Sequence, residues 1–274
     1  MTLSQSLQSA SLTDPGRVRD HNEDCIESRP DIGLYVLADG MGGYNAGEVA
    51  SGMATSLISD GLQETWNPRE SERLGRDQAK ADTERLIAEQ IARANNAIFT
   101  TSQNNPECAG MGTTLVVTLF FDNFMTVAHI GDSRLYRLRG DAMEQVTRDH
   151  SLLQEQLDSG LITPEEAKLS QNKNLVTRAL GIDPTVEPEI HVYETQVGDS
   201  YLLCSDGLSD MVEDEEIRLT LITLRSNPNL TVQQLVQAAN DNGGRDNISA
   251  MLIRVAEPFG VARGWLARFK ALFR

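Results

Sequence analysis

Four aspartates in this chain stand where apolar runs begin or end. Asp39 closes Leu34-Tyr35-Val36-Leu37-Ala38, Asp132 follows Val127-Ala128-His129-Ile130-Gly131, Asp206 ends Tyr201-Leu202-Leu203-Cys204-Ser205, and Asp246 shortly precedes the run 248–253. Short runs rich in branched and aromatic residues and bounded by glycine read as strands. Where such strands are antiparallel neighbours, the end of one lies beside the start of the next, so acids far apart in sequence converge on one edge. Carboxylates crowded there repel one another and raise each other's pKa unless a cation neutralises them. Hard oxygen donors favour Mg, Mn or Ca over zinc. The pattern therefore calls for a fold that gathers distant strand ends, with a metal site where they meet.

A length of 274 residues suits one large domain with a sizeable core. The 24 basic against 40 acidic residues leave a net charge of −16, which disfavours non-specific attraction to nucleic acid or anionic lipid. An anionic substrate would need local positive charge from metals or arginine. Cys25, Cys108 and Cys204 show no paired spacing, which argues against a disulfide framework or thiolate zinc site and fits a reducing cytosol. The start of the chain lacks the basic and apolar segments of a secretory signal, so no export is expected. No apolar run approaches the roughly 20 residues needed to cross a bilayer. Asn229-Leu230-Thr231 matches a glycosylation acceptor but reads better as a loop, with Thr231 as N-cap of the next helix.

Residues 1–12 are polar and expected to be a loosely held extension. Helical spacing covers 48–62 and 71–99, the latter through Leu86, Ile87, Ile91, Ala94 and Ile98. The period then changes. Segments 114–121, 124–130 and 134–139 read as an antiparallel meander with short turns at Asp122-Asn123 and Gly131-Asp132-Ser133. The polar stretch 148–181, with short helical pieces at 152–159 and 164–169, reads as an insertion or flap. Strands follow at 190–194 and 200–204, helices at 213–224 and 231–240, and a last strand at 248–255. This order argues for an α+β fold with antiparallel sheets.

In Asp39-Gly40-Met41-Gly42-Gly43 the glycines permit unusual backbone angles, so that the Gly40 carbonyl can point at a metal. Asp210 lies one helical turn after Asp206 if Gly207 opens a helix, and both then face one cavity. Arg19 sits near Glu23 and Asp24, and its guanidinium is shaped to hold a phosphate through parallel hydrogen bonds. Alone, each element has an ordinary explanation as a turn or surface ion pair. His129 reads as a packed strand residue, His150 as fixing the start of the flap, and Cys204 as a small buried apolar side chain.

Together, Arg19, Asn22-Glu23-Asp24, Ala38-Asp39-Gly40-Met41-Gly42-Gly43, Gly110-Met111-Gly112-Thr113-Thr114, His129-Ile130-Gly131-Asp132-Ser133-Arg134, Ser205-Asp206-Gly207-Leu208-Ser209-Asp210 and Arg245-Asp246-Asn247 resemble, in order and spacing, the bacterial branch of the protein phosphatase 2C family of metal-dependent serine/threonine phosphatases. The resemblance implies a central sandwich of two antiparallel β-sheets flanked on both sides by α-helices, with a catalytic domain at 13–257 and a flap at about 148–181. It implies two Mn2+ or Mg2+ ions bridged by Asp39, with Asp206 and Asp246 completing the first site. The Gly40 carbonyl and, through water, Glu23 would serve the second. Asp132 with Asp206 or Asp210 would form a weaker third position, and Arg19 would contact the phosphate.

The expected reaction is hydrolysis of phosphoserine and phosphothreonine by a water that the two cations share, activate and hold in line with phosphorus. Many eukaryotic members carry histidine directly after the Asp-Gly pair, whereas this chain has Met41, so no side chain is assigned as general acid and water at the metals is preferred. The expected partners are phosphorylated proteins, a Ser/Thr kinase and its targets, with no nucleic acid; a cytoplasmic monomer is expected. A non-catalytic phospho-binding relative is disfavoured by the intact Asp39, Asp206 and Asp246. A calcium-stabilised interaction module is weakened by the absence of an Asp-x-Asp-x-Asp-Gly loop.

Residues 258–274 form a basic, apolar tail. At helical spacing Val261, Trp265, Leu266, Phe269, Leu272 and Phe273 share one face, with Arg263, Lys270 and Arg274 opposite. Two readings stand level: the stretch 259–274 packs back on its own domain, or it docks on a partner or the inner-membrane surface.

Overall fold

The computed structural model describes residues 2–43, 46–68, 74–163, 166–167 and 175–261. One sheet runs in the order β1 (Leu7–Asp14), β11 (Ile248–Val255), β10 (Ser200–Cys204), β7 (Arg134–Arg139), β8 (Ala142–Gln145). The other runs β2 (Asp24–Arg29), β3 (Leu34–Met41), β5 (Leu115–Phe121), β6 (Phe124–Ile130), β9 (Glu189–Glu194), with the short β4 (Gly112–Thr113) on the end of β3. Every ladder is antiparallel.

Side chains alternate between faces along a strand, and these strands use both. Leu34, Val36 and Ala38 of β3 pack on the helices α2 (Ala46–Thr65) and α3 (Arg76–Asn104), whereas Tyr35 and Leu37 face the opposite sheet. In β10, Leu202 and Cys204 pack under α6 (Asp214–Thr223) and α7 (Pro228–Asp241), and Tyr201 and Leu203 point between the sheets. The layers are therefore helix, sheet, sheet, helix. The middle layer is set by large rings: Phe120 meets Tyr35 and Tyr201 edge-on, at 5.9 and 5.6 Å between centroids. Each outer helix turns one apolar stripe inward, Ala50, Ala54, Ile58 and Leu62 in α2 and Ile87, Ile91, Ala94 and Ile98 in α3.

Four details depart from the sequence reading. Residues expected to be a loose extension form α1 (Leu3–Ser6) and then β1, which pairs with β11 from Leu7↔Val255 to Asp14↔Ile248. A complete backbone ladder, with Leu7 in the middle layer and Ala10 under the helices, outweighs the polar composition. Second, 114–139 is not one meander. β5 and β6 pair, but Gly131-Asp132-Ser133 carries the chain across to β7 in the other sheet. Third, the N-cap of α7 is Asn227, whose side chain accepts from the Leu230 amide at 3.2 Å; the Thr231 hydroxyl donates back to Leu224 and Asn227 carbonyls instead. Fourth, Gly40 is absent from the left-handed backbone region, a point that bears on the site below.

In the expected flap, α4 (Leu152–Asp158) is capped by Ser151. The helical piece expected at 164–169 falls largely outside the described residues. The base of the segment is tied down: Ser151 bridges Val176, the Leu152 amide donates to Leu175 O at 2.9 Å, and Leu180 bridges Thr113. At the C-terminal side, Phe259 packs on Phe120 with its amide on Asn123 Oδ1, and the Val261 amide donates to Asp122 Oδ1. The amphipathic stretch beyond 261 lies outside the described residues. Among the described residues no helix is long and apolar enough to cross a membrane.

Leu7 is 2% exposed, and Leu7→Ala is expected to lower unfolding stability by about 3 kcal/mol, read from urea titration. A change below about 0.5 kcal/mol would return the segment to the status of a dispensable extension.

Candidate metal centre

The alternation that fills the middle layer also places its polar end. Asp39 continues the face of Tyr35 and Leu37, and ladder register sets Asp24 directly opposite it. From the other sheet, Ser205 continues the face of Tyr201 and Leu203, and its hydroxyl donates to Asp24 Oδ2 at 2.8 Å. The Asp39 backbone is held from both sides, its amide donating to Thr114 Oγ1 at 3.1 Å and its carbonyl accepting from the Thr114 amide and the Thr113 hydroxyl. The motif around Gly112 thus clamps Asp39 in place.

Asp206 opens the short helix α5 (Asp206–Ser209), and the Asp210 amide donates to its carbonyl at 2.7 Å. Asp206, Asp210 and Asp132 line one cavity of about 260 Å³, with Arg134, Asp149 and Asp214 on its walls. Arg134 forks onto Asp149, with Nη2 at 2.7 Å from Oδ2. Asp246 receives the Arg19 guanidinium, Nη2 to Oδ2 at 2.7 Å. The next residue, Asn247, is a hub: its Oδ1 accepts from the Glu23 amide at 2.7 Å and its Nδ2 donates to the carbonyls of Pro15 and His21.

Gly40 is required by close approach and not by unusual angles. A Cβ there would lie 2.1 Å from the Gly47 carbonyl oxygen and 2.7 Å from that of Glu23, so only glycine lets the end of β3 run against the first turn of α2.

Burial, above all, holds the Asp39 carboxyl well above the usual range, and Asp24, Asp206, Asp132 and Asp246 add repulsion. Asp206 is raised in the same way, by burial and then by Asp132, Asp210, Asp246 and Asp24. Burial pushes Asp24 up to about 6 against hydrogen bonds from Ser249 and Ser205. Asp132 also rises to about 6, through burial and then Asp149. Glu23 is raised by burial, with Arg19 opposing. Asp246 thus lies beside Arg19, Asp24 stands opposite Asp39, and Asp206, Asp210, Asp132 and Asp149 share one cavity. Glu23 Oε1 and Asp24 Oδ1 are shut from water without a well-aligned donor. An oxygen-only set of mutually repelling, under-satisfied carboxylates fits hard divalent cations.

Residues 8–248 match the family model for protein phosphatase 2C. The chain belongs to the protein phosphatase 2C family. It is accordingly a metal-dependent serine/threonine protein phosphatase, of the bacterial branch. The phosphatase is 38% identical over 244 residues to serine/threonine phosphatase stp of Listeria innocua, covering 88% of this chain and 93% of that one. Its fold superposes on serine/threonine phosphatase Stp1 from Staphylococcus aureus with a TM-score of 0.82 at 35% identity, covering 93% of this chain and 97% of that one. The catalytic domain of PstP, solved in complex with two manganese ions, gives a TM-score of 0.78 at 37% identity, covering 92% and 99%.

All the acids singled out in the sequence gather around this centre. Asp24, Asn247 and Thr114 were not among the candidates, although all three lie inside the motifs. The available signal was spacing: strand parity places Asp24 on the same face as Asp39 once the two strands are paired.

The pH dependence of the metal-free phosphatase follows from the raised carboxylates. The folded state keeps the Asp24 and Asp132 protons up to about pH 6, whereas the unfolded chain loses them near pH 4, so their contribution is fully present below about pH 4 and is lost as pH rises through about 6. In chelator, Tm is expected to fall across that window, and Mn2+ or Mg2+ should flatten the fall. A Tm that climbs from pH 4 to 6 in chelator, with no response to added cation, would contradict the electrostatics.

Proposed function

We propose that this phosphatase removes phosphate from phosphoserine and phosphothreonine in proteins by direct attack of water, reversing the action of Ser/Thr kinases on their targets. The observation that carries the reading is the convergence of the half-buried Asp39 and Asp206 at the meeting point of the two sheets, where both are raised by the same neighbouring acids. Asp39 would bridge two cations, Asp206 and Asp246 would complete the first site, and the Gly40 carbonyl with Glu23 would serve the second. Asp132 with Asp206 or Asp210 would hold a weaker third. When bound, Mn2+ or Mg2+ would lower the pKa of the attacking water and offset charge on the phosphoryl oxygens.

The protein's own part is orientation and charge. Thr113 and Thr114 fix the Asp39 backbone, and with it the point from which the carboxylate extends. Arg19 is tethered to Asp246 through Nη2 and is half-exposed, leaving guanidinium N–H groups to receive a phosphoryl oxygen at the rim. Met41 cannot donate a proton, so the leaving alkoxide takes its proton from water. A cytoplasmic location and monomeric state go with this reading, and the tail 259–274 is kept as a docking element toward a partner or the inner-membrane surface.

The test is Mn2+-dependent hydrolysis of a phosphothreonine peptide. Asp39→Asn is expected to cut kcat/KM by about a hundredfold or more, and Arg19→Ala to raise KM by about tenfold with a smaller effect on kcat. Equal activity of Asp39→Asn and the unaltered protein would overturn the mechanism; inactivity of both would favour a non-catalytic phosphoprotein-binding role.

A further inference from the structure

The chain that follows β11 leaves the domain from a fixed point. The Asp122-Asn123 turn between β5 and β6 has positive φ at both residues and clips the segment after Pro258. The Phe259 amide donates to Asn123 Oδ1 at 2.8 Å, and the Val261 amide to Asp122 Oδ1 at 2.6 Å. A Cβ at Gly260 would collide with the Asn123 side-chain amide, so glycine is required between the two. Asp122 is itself buried, with Arg76 Nε at the start of α3 3.6 Å from its carboxylate.

That clip stands at the end of the sandwich remote from the metal centre. β5 runs from Leu115, beside the Thr114 amide that holds Asp39, to Phe121 at the turn, and β11 runs from Ile248 next to Asn247 to Val255. At about 3.3 Å per residue, the clip is roughly 25 Å from the Asp39 end. The apolar seats around it are taken. Phe259 closes the middle layer on Phe120, and Trp66 is buried edge-on against Phe121. The face of Phe124 carries Lys80 Nζ at 4.2 Å and the Arg76 guanidinium at 5.9 Å. A basic, apolar tail starting here therefore meets filled pockets and two cations, which disfavours packing back on its own domain.

Residues 262–274 hold four of the 24 basic residues, Arg263, Arg268, Lys270 and Arg274, and none of the 40 acidic ones. The repulsion of this chain for anionic lipid thus belongs to the rest of the sequence. Beyond the cations the stretch contains only Ala, Gly, Trp, Leu and Phe, with no hydroxyl, amide or carboxylate to set a register in a shaped protein groove. Four cations at this spacing exclude a bilayer span, and an apolar face with Trp265 and two phenylalanines fits the interface between headgroups and acyl chains. We propose that residues 262–274 bind the surface of an anionic lipid bilayer as an amphipathic helix, and that the Asp122-Asn123 clip then holds the domain with its metal centre at the end away from the lipid. The inference rests on the tail as a docking element and adds the partner and the orientation. A phosphatase held this way would serve phosphoproteins that stand well above the headgroups.

The experiment floats the full chain with protein-free vesicles, either equimolar phosphatidylglycerol and phosphatidylcholine or phosphatidylcholine alone. Binding is expected to be at least about tenfold stronger to the anionic vesicles. Leu266→Glu with Phe269→Glu should lower it by about tenfold or more, and Lys270→Gln with Arg274→Gln should remove most of the preference for phosphatidylglycerol. Tm without lipid and hydrolysis of a soluble phosphothreonine peptide should not change in either double variant. Vesicles should slow amide exchange about threefold in the loop 195–198, which joins the clip through the Thr195 amide on the Asn123 carbonyl, and leave the loop 16–21 beside Asp246 unaltered. No flotation, equal binding to both vesicles, or undiminished binding of the glutamate variant would overturn the proposal. A lipid-free Tm several degrees lower in that variant would overturn it in favour of packing on the domain. Association with native membranes alone would overturn it in favour of a protein partner, and protection of 16–21 instead of 195–198 would overturn the orientation. Flotation without any hydrolysis would uphold the lipid contact while overturning the chemistry proposed at Asp39, so the two readings fail separately.

Discussion

Burial of like charges is the constraint on which the rest of this structure depends. A pair of carboxylates about 4 Å apart repels by about 4 kcal/mol at an effective dielectric of 20, against a total domain stability of about 5–15 kcal/mol. Asp39 alone is raised by four other aspartates in addition to its burial. A fold can hold such a cluster only if the backbone leaves the acids no escape and a counter-charge is available. The sandwich meets the first condition, because Asp24 and Asp39 are locked in register on one sheet while Ser205 and Asp206 arrive from the other. Divalent cations would meet the second, and Arg19 on Asp246 supplies part of it from the protein itself.

The scaffolding around the acids is neutral and mostly backbone-directed. Asn247 ties Glu23 to the loop at Pro15 and His21, and Thr113 and Thr114 pin Asp39. Neutral donors suit this task, since they fix position without adding charge to a site already dominated by it. The same economy appears at Gly131, where the His150 imidazole, kept uncharged by burial, accepts a backbone amide beside Asp132.

Much of this was legible from residue order. Apolar runs that stop at or just before Asp39, Asp132 and Asp206 declared strand ends, and the spacing of Ile87, Ile91, Ala94 and Ile98 declared a long helix face. What stayed hidden depended on partners. β7 could not be assigned to the sheet opposite β6, because a three-residue turn reads the same whether it closes a hairpin or crosses a sandwich. β1 looked like a polar tail because its stability comes from the ladder with β11, a segment more than two hundred residues away. Gly40 was singled out for the wrong reason: sequence displays a missing side chain, but not the Gly47 carbonyl that requires its absence. The place of Asp24 and the gathering of His129, His150 and Glu189 needed pairing and tertiary proximity, which motif spacing alone does not carry.

The distribution of charge resolves an apparent conflict between composition and chemistry. A chain of net charge −16 is a poor long-range attractor for a phosphorylated protein. At physiological salt, however, screening confines exposed charges to about 8 Å, so the acidic surface at large matters less to an approaching phosphate than what lies at the rim. Arg19 stands at that rim, half-exposed and already oriented by Asp246, and cations held by the acids behind it would reverse the local sign. The centre's own carboxylates, a minority of the 40 acidic residues, are therefore the groups whose bound cations would make it attractive, which ties phosphate recognition to metal loading.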